Sequence, residues 1–106
     1  PDVNVGTGTL DRGRWSNIVD RFMSDLRVHP GRSGELDVRE NVRFRGGYLT
    51  QWVHERFPAA GCGLAIEFKK TFMDEWTGVA DAARVEFLHG ALASTVEGVL
   101  EELSRC

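Results

Sequence analysis

Two hydrophobic rhythms alternate along the chain. Val3 and Val5 are separated by polar neighbours, the period-two pattern of a strand, and Gly6-Thr7-Gly8-Thr9 ends it. From Trp15 the apolar positions are Trp15, Ile18, Val19, Phe22, Met23 and Leu26, the spacing of one helix face, with Asp11 as a suitable N-cap. The breakers in His29-Pro30-Gly31-Arg32-Ser33-Gly34 predict a loop. Leu36 and Val38, alternating with Asp37 and Arg39, predict a second strand running toward Asn41. After Gly46-Gly47, helical spacing returns at Leu49, Trp52, Val53 and Phe57, and Pro58 with Gly61 stops it. Cys62 to Phe68 is the strongest strand, with Leu64, Ile66 and Phe68 facing one way and Ala65 and Glu67 the other. Asp74 to Gly78 is rich in turn residues. Val85, Leu88, Leu92, Val96, Val99 and Leu103 then predict one long amphipathic helix, with Asp81 near its start.

The order βαβαβα predicts an α/β layer structure with a small, mainly parallel sheet. Three strands leave two bare edges, so a missing N-terminal segment or a second copy is expected to cover them. Pro1 leads straight into a strand pattern without a preceding Met. The 106 residues are therefore expected to form a single domain that is the C-terminal portion of a larger one. Ligands of open α/β sheets sit beyond the carboxyl ends of the strands. If all strands are parallel, the segments 6–9, 41–47 and 67–70 converge there.

Composition narrows the class. Hydrophobic residues make up 42% and charged residues 27%, a globular balance, and three Trp and six Phe supply core volume. A net charge of −3 gives no electrostatic reason to expect nucleic acid or an anionic membrane as partner. No apolar run approaches the roughly 20 residues of a membrane span. The start does not resemble a secretory signal. Cys62 and Cys106 are expected to be a buried reduced thiol and an exposed terminal one, which fits a cytoplasmic location.

Candidate chemistry concentrates in two places. Gly6-Thr7-Gly8-Thr9 lacks the further glycine of a dinucleotide fingerprint and the Gly-Lys-Ser/Thr ending of a P-loop, so it reads as a tight strand-to-helix turn. In Asn41-Val42-Arg43-Phe44-Arg45-Gly46-Gly47-Tyr48, the paired glycines permit close approach of a ligand or another chain. Arg43 and Arg45 could hold a carboxylate and Tyr48 could offer a hydroxyl; the other reading is a glycine turn opening a helix, with both arginines in solvent. Glu67 lies in a strand whose other face is apolar, so some burial is expected. It then either pairs with Lys69 or Lys70 or serves in a cleft as a base. His29, His54 and His89 are far apart and fit no zinc motif, and they are expected at the surface or supporting a site. No metal ligands are assigned within the chain.

Three blocks together resemble the C-terminal half of the N-formylglutamate amidohydrolases: Pro1-Asp2-Val3-Asn4-Val5-Gly6-Thr7-Gly8, then Asn41-x-x-Phe44-x-Gly46-Gly47-Tyr48, then Ala65-Ile66-Glu67 followed by Met73-Asp74-Glu75. The resemblance implies a three-layer α/β sandwich of the phosphorylase/hydrolase-like kind, similar to zinc carboxypeptidases and aspartoacylases. It also implies a Zn2+ cofactor in the complete enzyme, with its ligands outside this chain. Glu67 resembles the catalytic general base of that family. Asn41, Arg43, Arg45, Gly46, Gly47 and Tyr48 become candidates to bind a small-molecule substrate, an N-formyl or N-acyl amino acid. Arg43 stands where the family often has proline, and Ile66-Glu67-Phe68-Lys69-Lys70 is more basic than usual, both where selectivity would be set. The implied reaction is hydrolysis of a C–N amide bond, the isolated chain being inactive. A competing expectation is a non-catalytic binding or assembly module, in which a second copy or partner covers the sheet edges and Glu67 is ion-paired.

Overall fold

In a computed structural model, the described residues are 1–29, 36–71, 73–74 and 76–105. Most of the predicted loop at 29–34, together with Glu75 and Cys106, lies outside them. The elements in chain order are β1 (Val3–Gly6), α1 (Arg12–Val28), β2 (Val38–Glu40), α2 (Tyr48–Arg56), β3 (Ala65–Phe68), α3 (Ala82–Ala93) and α4 (Val96–Ser104). The result is a mixed α/β fold around a small three-stranded sheet.

The expected mainly parallel sheet is corrected to a mixed one. Its order is β2-β1-β3, with β1 parallel to β2 and antiparallel to β3. Val3 lies opposite Val38 and Phe68, while Asn4 lies opposite Arg39 and Glu67. Period-two geometry therefore puts Val3, Val5, Val38, Ile66 and Phe68 on one face, and Asn4, Arg39 and Glu67 on the other.

α1 covers the apolar face. Asp11 caps it, its Oδ1 accepting from the amides of Gly13 (3.0 Å) and Arg14 (3.2 Å). Trp15, Ile18, Val19, Phe22, Met23 and Leu26 are all buried, as the spacing predicts. They share one core with Val3, Val5, Leu36, Val38 and Ala91. Cys62, expected to be buried, is half-buried against that core.

The expected long final helix is two helices. Ser94 and Thr95 interrupt it, their hydroxyls donating back to the carbonyls of Ala91 and Leu92 (both 2.6 Å). α4 packs along α1 through Gly98 and Glu102, leaving Val96, Leu100 and Leu103 exposed. No helix among the described residues is long and apolar enough to cross a membrane.

Candidate functional site

The carboxyl ends of β1 and β2 are tied by polar side chains. Asn41 follows β2 with φ of 56°, a left-handed conformation that asparagine tolerates. Its amide nitrogen donates to Val5 O (2.9 Å), its Oδ1 accepts from Thr7 N (2.8 Å), and its Nδ2 donates to Thr7 Oγ1 (3.0 Å). Thr7 Oγ1 in turn donates to Glu40, whose carboxylate is held in a fork by Arg12 Nε (3.1 Å) and Nη2 (2.8 Å). Burial alone would lower the Arg12 pKa, but its hydrogen bonds to Asp20 and Glu40 outweigh that and raise it. Asn41, expected to touch substrate, thus spends its side chain on this strand-end network.

The glycines of segment 6–9 have a steric purpose. A Cβ on Gly6 would sit 2.7 Å from the Gly46 nitrogen and 2.8 Å from the Arg45 carbonyl carbon. One on Gly8 would sit 2.8 Å from the Arg45 oxygen, which accepts the Gly8 amide at 2.8 Å. Two backbones meet here, as expected of a structural turn. Gly46 itself has φ of 115°, which favours glycine, whereas a Cβ on Gly47 would meet nothing within 4 Å.

The segments expected to converge do so only in part. Segments 6–9 and 41–47 meet, but β3 runs the opposite way, so its carboxyl end lies beside the start of β1, where the Lys69 amide donates to Asp2 O (2.8 Å). Two clefts result. One, of about 400 Å³, is lined by Gly8, Thr9, Arg45, Gly46, Gly47 and Tyr48. Tyr48 is 81% exposed there at the start of α2. The other, of about 310 Å³, is lined by Pro1, Asn4, Arg43, Glu67, Phe68, Lys69 and Lys70.

Glu67 stands on the face away from α1, directly across from Asn4. The expected partial burial is corrected: Glu67 is exposed, on the face of the sheet opposite the one that packs into the α1 core. Among the described residues its carboxylate has no hydrogen bond or ion pair. Asn4 is the buried polar group of the cleft, 2% exposed. Its Oδ1 accepts from the amides of Val42 and Arg43 (both 2.9 Å), and its Nδ2 donates to Phe44 O (3.0 Å). Asn4 was not singled out from the sequence. The cue available was a polar residue between two strand valines.

His54 is a structural residue. Its Nε2 accepts from the Gly63 amide (3.0 Å), so the neutral ring carries its proton on Nδ1 and donates to Thr9 Oγ1 (2.7 Å). His29 stacks at a tilt on Phe87, centroids 5.6 Å apart, and His89 is exposed. Among the described residues, no three His, Cys, Asp or Glu side chains gather as a metal would require.

Fold and clefts define a mixed α/β protein whose exposed carboxylate shares a cleft with an arginine and two lysines. No family model, curated protein or solved structure matches the chain.

Proposed function

We propose that this chain is the C-terminal part of a hydrolase resembling the N-formylglutamate amidohydrolases, cleaving the C–N bond of an N-formyl or N-acyl amino acid. In this reading the complete fold is a three-layer α/β sandwich, and the missing segment covers an edge of the sheet. The observation that carries the reading is the exposed Glu67 carboxylate, without a bonding partner among the described residues and facing a cleft with Arg43.

The chemistry assigned to these residues is limited and specific. Glu67 accepts a proton from the water that adds to the acyl carbon, then returns it to the amine as the C–N bond breaks. Arg43, with Lys69 and Lys70 nearby, attracts the carboxylate of the amino-acid portion. Arg45 and Tyr48 line the neighbouring cleft and would serve a more extended substrate. Products are formate, or another acid, and the amino acid.

The zinc that the resemblance implies does not fit the described residues, which offer no ligand set. The reading therefore requires ligands from outside the chain. Calorimetric zinc titration and an assay of formate release from N-formyl-L-glutamate test it together. The chain alone should bind no zinc tightly and release no formate, whereas a longer protein containing it should do both. Tight one-to-one zinc binding by the chain alone, or no formate release from the longer protein, would count against the reading.

A further inference from the structure

Asn4 is buried on the side of the sheet that α1 does not cover. An apolar residue at this central-strand position would avoid the cost of desolvating a carboxamide. That cost is offset by three hydrogen bonds, all made to one short stretch of backbone at residues 42–44. The stretch is fixed at its ends by Asn41 N to Val5 O (2.9 Å) and Gly8 N to Arg45 O (2.8 Å). Between these points, the hydrogen bonds to its backbone among the described residues come from Asn4 alone. Only a side chain with both an acceptor and a donor can make this set: aspartate has no donor for Phe44 O, and alanine leaves the Val42 and Arg43 amides unpaired.

The clamp acts on the residue that matters to the cleft. Arg43 is exposed and flexible by nature, yet its backbone amide is held by a side chain whose strand position is directly opposite Glu67. Asn4, Arg43 and Glu67 line one cavity. We propose that Asn4 is a positioning residue, which fixes Arg43 relative to Glu67 and so sets where a bound carboxylate lies. This deepens the hydrolase reading and rests on it for the identity of the natural ligand. The carboxylate-binding arrangement itself is tested without catalysis.

The probe is glutarate, titrated into the 15N-labelled chain and followed by NMR. In the unmodified chain, the Arg43 Nε–H and Asn4 side-chain amide signals should shift together and saturate. Asn4→Ala should weaken binding by about tenfold, because the backbone that carries Arg43 loses these neutral hydrogen bonds. In an Arg43→Ala background the same change should cost less than about twofold, because the residue being positioned is gone. If Asn4→Ala does not fold, Asn4→Ser replaces it, a neutral side chain too short to span residues 42–44, and its effect must likewise shrink without Arg43. Unmoved signals in the unmodified chain, or an equal loss with and without Arg43, overturn the proposal. The expected coupling combined with normal turnover in Glu67→Gln would keep the carboxylate site and remove only the hydrolase reading. Lost turnover without coupling would do the reverse.

Discussion

His54 joins three parts of the chain through one imidazole: the β1–α1 turn at Thr9, its own helix α2, and the approach to β3 at Gly63. Because α2 buries no residue, this ring is a principal tie between it and the rest of the fold. Net hydrogen-bond contributions run about 0.5–1.5 kcal/mol each, so His54→Ala should destabilise the chain by about 1–2 kcal/mol. Chemical denaturation checks the magnitude, and imidazole 15N shifts should report the Nδ1–H tautomer. An unchanged midpoint would remove this role. The sequence placed His54 on a helix, and it lies on α2, half-buried rather than at the surface. Its partners were not legible, since Thr9 and Gly63 come near it only through tertiary folding. Glu67 divides the same way. Alternation along Leu64, Ile66 and Phe68 gave its face correctly, but its exposure depends on which face the helix covers.

At the scale of elements, the helix of strongest periodicity was readable throughout, from its Asp11 cap to its buried Leu26. The final helix was not. Its apolar residues continue in sequence past Ser94-Thr95, but the interruption changes the phase, and α4 turns Gly98 rather than Val96 or Leu100 toward α1. A Cβ on Gly98 would reach within 2.1 Å of Asp25 Oδ2, so glycine permits that approach where hydrophobic periodicity gives no cue. Similar packing explains Gly6 at the end of β1 and Gly8 just after it. Gly6→Ala would press a methyl group onto backbone that has no side chain to rotate away, displacing segment 45–46. A cost of about 1–3 kcal/mol is expected, on the scale of core overpacking. Thermal unfolding with NMR of the Gly46 and Arg45 amides checks it; full stability with unshifted signals would mean that the contact is loose.

For the whole molecule, βαβαβα order suggested parallel strands, yet the return through segment 57–64 brings β3 back antiparallel beside β1. Strand direction is a long-range property, set by which edge of β1 remains open and by burial of Ile66 and Phe68 on the shared core. It decides the function proposed here. An antiparallel β3 puts Glu67 with Asn4 and Arg43, while Arg45 and Tyr48 line the other cleft. The candidate residues were thus legible as types, but their grouping was not. Both outer strands retain an unpaired edge within the described residues.

Removing only the basicity of position 67 is the most direct trial. In a zinc-loaded longer protein containing this chain, Glu67→Gln should lower the turnover number on N-formyl-L-glutamate by about a hundredfold or more, with metal content unchanged. Turnover close to that of the unmodified protein would contradict the assignment of Glu67 as the base.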